Sequence, residues 1–232
     1  MRIRTLVAPL LGTNCYLVSD PSGRCLVVDP GGGVLEPVRA AVGAEGLSPV
    51  AVVITHGHLD HTWDAAAVAR AFGVPVLIHA DDEFRLDDPL GTLGPLGDQL
   101  AAMAGAVTGP PRPEHVETFD TGADGVAPLV VSGFGGSAAA TLTALHAPGH
   151  TEGSTVFVMT REGEPDVALT GDVLFAGTIG RTDLPGGDAI AMEATLRRLA
   201  RLDPDTDVLP GHGPASTIAA ELAGNPYLRS AR

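Results

Sequence analysis

Seven consecutive residues, Thr55-His56-Gly57-His58-Leu59-Asp60-His61, gather three imidazoles and a carboxylate. Imidazole suits zinc, iron and similar ions, and a carboxylate among imidazoles adds the negative charge that a second cation needs. The apolar run Val50–Ile54 before them reads as a buried strand, so the ligand-type side chains leave a strand end into a short turn. Three further positions share this grammar. Thr141–Ala147 leads to Pro148-Gly149-His150-Thr151, Val167–Thr170 to Gly171-Asp172, and Val208-Leu209 to Pro210-Gly211-His212-Gly213. Glycine beside a ligand lets the backbone turn sharply and approach an ion closely. A solvated loop with chance histidines would account for any one turn, but not for four strand ends with one pattern.

The ligand set is then His56, His58, Asp60, His61, His150, Asp172 and His212. That is too many for one tetrahedral ion, whose catalytic form takes three protein ligands and a water. It fits two ions if one carboxylate bridges. Two such cations would share a hydroxide, lower its pKa toward neutrality and polarise the group under attack, which is hydrolysis without a covalent enzyme intermediate. His79, His115 and His146 lack this setting. His146 lies in a strand four residues before His150 and is expected to be structural, facing a core or supporting that ligand.

The elements that must position these residues follow from period and punctuation. Ile3–Val7, Asn14–Ser19 and Cys25–Asp29 read as strands separated by Gly12-Thr13 and Pro21-Ser22-Gly23. Val34–Gly46 has helical spacing, with Val34, Leu35, Val38 and Val42 on one face. A helix over Trp63–Phe72 and a buried strand over Pro75–Ile78 follow the histidine turn. Asp81–Pro113 is irregular, acidic at its start and rich in Gly and Pro, and reads as short helix mixed with mobile surface loop. Strands are then expected at Val116–Phe119, Leu129–Ser132, Thr141–His146, Ser154–Met159 and Val167–Thr170. A helix over Ala189–Leu202, a strand over Thr206–Leu209 and a helix over Ser216–Leu222 complete the chain. The plan fits two packed sheets with helices outside, in one domain spanning 1–232.

Composition narrows the function classes. With 44% apolar residues over 232 positions the chain can bury a sizeable core. No run reaches the roughly 20 apolar residues of a membrane span, and the N-terminus has no leader pattern, so a cytoplasmic protein without membrane partner is expected. Cys15 and Cys25 agree: in a reducing compartment they read as small buried apolar side chains, not as a disulfide, ligand or nucleophile. A net charge of −14 opposes attraction to nucleic acid. The compact basic group, Arg197-Arg198 with Arg201, is spaced like a solvated helix face.

In this order, H-x-H-x-D-H, Pro-Gly-His, Gly-Asp and Gly-His resemble the metallo-β-lactamase fold superfamily over nearly the whole chain. The resemblance implies an α/β fold, an αβ/βα four-layer sandwich of two mixed β-sheets with helices on the outer faces. It implies two divalent metal ions, zinc first with iron or manganese as alternatives. His56, His58 and His150 would hold the first, Asp60, His61 and His212 the second, with Asp172 bridging.

Within the superfamily the chain is similar to the short bacterial form of glyoxalase II (hydroxyacylglutathione hydrolase). The residues that carry this are Asn14-Cys15-Tyr16-Leu17-Val18, Asp29-Pro30-Gly31-Gly32, Gly171-Asp172-Val173-Leu174-Phe175, Gly180-Arg181-Thr182-Asp183-Leu184-Pro185-Gly186-Gly187-Asp188 and Asn225-Pro226-Tyr227-Leu228. β-Lactamases of the fold commonly carry arginine or cysteine where this chain has His61 and Asp172, which argues against antibiotic hydrolysis. The long form's C-terminal glutathione-binding helices have no counterpart in the short stretch after His212. Arg181 falls where the long form has a lysine that touches the thiol moiety, and Asp183 where it has a tyrosine.

The activity so implied is hydrolysis of S-(2-hydroxyacyl) thioesters such as S-lactoylglutathione, with a small-molecule thioester as partner and neither nucleic acid nor membrane. The metal-bridging hydroxide would attack, Asp60 and Asp172 would be the catalytic carboxylates, and Arg181 would meet the thiol carrier. An ion pair of Arg181 with Asp183 or Asp188 that orders the loop is the competing role. The alternatives on the same fold are an iron-dependent persulfide dioxygenase, which also carries Gly-Arg-Thr-Asp, and a lactonase.

Overall fold

The computed structural model describes residues 1–104, 109–135, 140–161 and 163–231. By its contacts the chain divides into two units, Met1–Phe119 with Val131–Phe134, and Asp120–Val130 with Gly135–Arg232. Each contains one six-stranded mixed sheet.

In the first unit the strands lie side by side in chain order: β1 (Arg2–Val7), β2 (Asn14–Ser19), β3 (Arg24–Val28), β4 (Ser48–Val53), β5 (Val76–His79) and β6 (Val116–Phe119). β1 to β3 pair antiparallel, and β3 to β6 are parallel. A parallel strand is covered on both faces and so reads as a continuous apolar run. Accordingly Ala51, Val52, Val53 and Ile54 are all buried.

The β3–β4 crossover is helix α1 (Leu35–Glu45), which buries Val38, Ala41 and Val42 against Leu17, Val27 and Val52. Val34 offers this helix no side-chain cap, and Asp64 Oδ2 instead accepts from Leu35 N–H at 3.0 Å. Gly46, at φ +63°, ends it, with Leu47 N–H returning to the Val42 carbonyl at 2.9 Å. A single turn α2 (Leu59–Thr62) and helix α3 (Ala65–Phe72) fill the β4–β5 crossover.

The stretch over 81–113 begins with short helix, as expected, but not at the surface. Ala80–Leu86 is a 3-10 turn in which Asp82 and Arg85 are buried, not a surface loop. His79 caps it, its ring accepting from Asp81 N–H at 3.2 Å. Helix α4 (Pro95–Ala104) follows, and residues 105–108 lie outside the described ones.

The second sheet runs β14 (Ser216–Thr217), β13 (Asp207–Pro210), β10 (Glu164–Gly171), β9 (Thr155–Arg161), β8 (Ala140–His146) and β7 (Val126–Pro128). Only β10 and β13 are parallel; the other pairs are antiparallel. Helices α5 (Ala189–Leu199), α6 (Ile218–Gly224) and α7 (Pro226–Ser230) supply Met192, Leu196, Leu222 and Leu228 to a core with Val156, Ala168 and Val208.

The strand expected at Leu129–Ser132 is absent; the edge strand lies before it, at Val126–Pro128. Pro128 has no N–H to continue a ladder, although Leu129 N–H still reaches the Leu142 carbonyl, at 2.8 Å. Val130 is then 85% exposed, so the apolar run misleads.

The basic helix face is also not simply solvated. Arg198 reaches back to the carbonyls of His146 at 2.7 Å and Gly125 at 2.9 Å, which removes it from any basic patch. Cys15 and Cys25 are free and buried, as expected. Among the described residues no helix is long and apolar enough to cross a membrane.

Candidate metal centre

In open α/β sheets ligands gather at the carboxyl ends of parallel strands, and apart from His150 the metal-seeking residues of each unit leave from such a pair of ends. In the first unit β3 leads to Asp29, held at φ +50°, beside the end of β4. The Asp29 carboxylate accepts from Thr55 N–H at 2.8 Å and from the Thr55 hydroxyl at 2.7 Å. It also engages His61 Nδ1 at 2.9 Å. One buried side chain thereby pins both ends of the histidine turn.

A carboxylate can only accept, so Nδ1 of His61 carries the proton and Nε2 presents its lone pair. That Nε2 stands 3.7 Å from Asp60 Oδ2. The turn of α2 makes this possible, because the His58 carbonyl accepts from the N–H groups of His61 at 3.1 Å and Thr62 at 3.2 Å. The ring centroid of His56 lies 4.9 Å from that of His58 and 4.1 Å from that of His61. The Thr13 hydroxyl holds the Asp60 carbonyl at 3.0 Å, and a Cβ on Gly31 would stand 2.6 Å from the same oxygen.

In the second unit β10 ends at Gly171-Asp172 and β13 at Pro210-Gly211-His212, with Gly211 N–H bonded to the Gly171 carbonyl at 2.8 Å. Asp172 Oδ2 lies 3.7 Å from His212 Nε2 and 3.8 Å from His150 Nε2. His150 sits in the β8–β9 connection, where Gly149 adopts φ +140° and packs so closely on α5 that a Cβ would stand 2.5 Å from Met192 Cα. The His146 ring closes this connection, Nε2 donating to the Glu152 carbonyl at 2.7 Å. The structural role expected of His146 is thus to brace the loop of His150.

His150 Nδ1 donates to the Arg181 carbonyl at 2.7 Å, which turns its Nε2 toward Asp172. Gly180 is needed for this approach, because a Cβ there would fall 1.7 Å from the Asp172 carbonyl. The segment from Gly180 to Asp188 hangs between two anchors. Asp188 caps α5 through Ile190 and Ala191 N–H, at 2.7 and 3.0 Å. At the other end, the hairpin of β11 (Leu174–Phe175) and β12 (Thr178–Ile179) is tied to the chain's end. There Glu221 accepts from Gly177 N–H at 2.8 Å, and Asn225 donates to the Thr178 carbonyl at 3.0 Å.

The donor set fits divalent metal ions. The N···O separations of 3.7–3.8 Å around Asp60 and Asp172 exceed a hydrogen bond. They approach the roughly 3.4 Å between two ligand atoms bonded at about 2.0–2.2 Å to one tetrahedral ion. The distal ring nitrogens of His61 and His150 are bonded to a carboxylate and a carbonyl, the outer partners that orient metal-binding imidazoles.

Arg181 forks onto Asp183, Nε to Oδ1 at 2.6 Å and Nη2 to Oδ2 at 2.8 Å. These hydrogen bonds hold the Asp183 carboxyl down to about 2. His79 caps the 3-10 turn, and exposed His115 meets Glu117 at 3.0 Å. Sequence reasoning missed Asp82, whose Oδ2 accepts from Gly57 N–H at 2.7 Å, and Arg85, whose Nε donates to Asp82 Oδ1 at 3.2 Å. It also passed over the supporting role of Asp29, although Asp29-Pro30-Gly31-Gly32 stands out as a motif.

Comparison with known proteins gives this arrangement its class. The model of the metallo-beta-lactamase superfamily matches residues 8–212. The chain belongs to that superfamily and has its fold, two mixed β-sheets with helices. It is a metallo-hydrolase of that superfamily. An uncharacterized protein of Mycobacterium tuberculosis (strain ATCC 25618 / H37Rv) is 39% identical, with 98% of each chain covered. Hydroxyacylglutathione hydrolase GloC of Haemophilus influenzae is 31% identical over 99% of each chain. Among solved structures, BLEG-1 B3 metallo-beta-lactamase is similar with a TM-score of 0.80 and 29% identity, covering 98% of this chain and 99% of that one. TTHA1623 in a di-iron-bound form is similar with a TM-score of 0.76 and 33% identity, covering 97% and 99%.

Proposed function

We propose that the protein hydrolyses S-(2-hydroxyacyl) thioesters, of which S-lactoylglutathione is the type, to a hydroxy acid and a free thiol. The observation that carries this reading is the likeness to a hydroxyacylglutathione hydrolase, 31% identical over 99% of both chains. The Gly180–Asp188 segment supports it, since its backbone orients His150 while it displays a guanidinium, half exposed, on Arg181.

In this reading His56, His58 and His150 would hold one ion and Asp60, His61 and His212 the other, with Asp172 shared. Bound there, two divalent ions supply a water of lowered pKa and a Lewis acid for the thioester carbonyl. The chain's own groups do the rest. Asp60, with Oδ2 beside His61 Nε2, accepts a hydrogen bond from the attacking water and orients it. Asp29 and the Arg181 carbonyl keep the imidazoles of His61 and His150 in the tautomer that leaves Nε2 for the ions. The thiolate leaves without a general acid, because its pKa lies far below that of an alkoxide. Arg181 places positive charge where an anionic thiol carrier would rest, and Asp183 keeps that guanidinium extended.

The test is thiol release from S-lactoylglutathione by metal-stripped protein before and after zinc, iron or manganese is added. Turnover that returns with metal and is lost in His58→Ala supports the reading. A metal-loaded protein that releases no thiol overturns it. Oxygen uptake on glutathione persulfide, lactone opening and nitrocefin hydrolysis then identify the chemistry, the last suggested by the likeness to BLEG-1.

A further inference from the structure

We infer that the buried Asp82–Arg85 pair is a positioning device that sets the divalent-cation affinity of the His56–Gly57–His58 turn. The inference rests on the reading that His56 and His58 hold a cation. Asp82 is 0% exposed and Arg85 1%, and both belong to the 3-10 turn capped by His79. The two carboxylate oxygens of Asp82 divide their work: Oδ2 accepts the Gly57 N–H at 2.7 Å, and Oδ1 accepts Arg85 Nε at 3.2 Å. The arginine stem lies directly against the peptide between the two histidines. A Cβ on Gly57 would stand 2.7 Å from Arg85 Cδ and 2.8 Å from its Cβ.

Stability alone does not explain an ion pair in this place. Buried pairs exchanged for apolar side chains of similar volume are often neutral or more stable, because desolvation offsets the attraction. The pair's position suggests what it does instead. The cationic side chain whose stem crowds Gly57 opposes a dication held by the imidazoles on either side, and Asp82 offsets that charge while fixing the peptide that spaces them. Arg85 in turn holds Oδ1, which keeps the carboxylate on the Gly57 N–H.

Charge cancellation predicts opposite effects for the two partners, which a merely structural pair would not show. Zinc affinity is measured on metal-stripped protein by competition with a chromophoric chelator, and the melting temperature of the metal-free form is recorded beside it. Asp82→Asn removes the negative charge that faces Arg85 Nε and should weaken one zinc equivalent about ten- to a hundred-fold, the range seen when outer partners of metal ligands are lost. Arg85→Met lowers the melting temperature, yet binds zinc as tightly as the wild type or more so. Asp82→Asn/Arg85→Met, with the charge removed on both sides, returns most of the lost affinity.

If Arg85→Met alone does not fold, the single Asp82→Asn and the double variant decide between them. Equal weakening in Asp82→Asn and Arg85→Met overturns the inference, as does a double variant no better than Asp82→Asn or an unchanged affinity in Asp82→Asn. A wild-type protein that binds no zinc, iron or manganese would instead overturn the metal-site reading beneath it.

Discussion

Asp29 Oδ2 and His61 Nδ1 lie 2.9 Å apart, so a residue at the end of one strand determines the ring orientation of a histidine that leaves the next. Asp29→Ala removes that partner and also strands the buried Thr55 N–H, an unmet donor worth about 1–3 kcal/mol. We expect a lower melting temperature together with a ten- to hundred-fold loss of metal affinity, about the scale for an outer partner of a ligand. Metal content after dialysis against a weak chelator checks this. Full retention would remove Asp29 from the site.

Two nearby glycines should respond very differently to alanine. Gly180→Ala puts a Cβ 1.7 Å from the Asp172 carbonyl, so the backbone between Asp172 and Arg181 must move and His150 with it. Metal binding and turnover should fall together. Gly177 has φ +76° and nothing within 4 Å of a built Cβ. Gly177→Ala should therefore cost only the left-handed strain of about 1–2 kcal/mol and leave metal stoichiometry intact. Thermal melts and bound metal per chain, measured on both, separate the effects.

How much of this was legible before folding differs by residue. The four turns that carry the candidate ligands were readable because each combines an apolar strand, a glycine and a metal-seeking residue within a few positions. Asp82 and Arg85 were not. Acidic and basic residues in a Gly- and Pro-rich stretch normally mark solvent, and nothing local shows that this pair turns inward onto Gly57. Val130 failed in the opposite sense, an apolar residue in a strand-like run that the fold leaves exposed. Arg198 looked like helix surface, because its partners, the carbonyls of Gly125 and His146, lie far off in sequence.

The thiols should be silent in any assay that detects released thiol. Burial first, then the charges of Asp20 and Glu45, push the Cys25 thiol up to about 11, and burial raises that of Cys15. A thiol-reactive chromophore at pH 8 should label neither in native protein and both in denaturant. The sign of the pH dependence follows from proton counting. Between the ordinary thiol value near 8.5 and about 11, the folded state holds the Cys25 proton that the unfolded chain has lost. Stability therefore declines as pH rises through that window. Denaturant midpoints at pH 8, 9 and 10 should show the decline, and Cys25→Ala should make it shallower, with buried Cys15 supplying a remainder of the same sign.

The Arg181–Asp183 pair belongs to the acid side. Asp183 is held down to about 2 by its hydrogen bonds from Arg181, so both charges persist through ordinary assay pH. What this exposed pair contributes is present above the usual carboxylate range and lost as pH falls through about 2. Because both side chains are solvated, salt screens the pair and it should matter little to stability. Arg181→Ala should leave the melting temperature unchanged and raise KM for an anionic thioester several-fold, less so at high salt. An unchanged KM would assign the pair to loop order alone.

Arg181 also shows how chemistry and preference can be separated within a single residue. Its carbonyl serves His150, and every amino acid has a carbonyl; its side chain instead pairs with Asp183 and is half exposed. Replacement at this position can therefore alter what is recognised without unsettling what reacts. A lineage with this architecture can explore new substrates one substitution at a time while its reaction centre stays assembled. In a laboratory library, position 181 is where variation should be concentrated, and positions 149 and 180 are where it should be withheld.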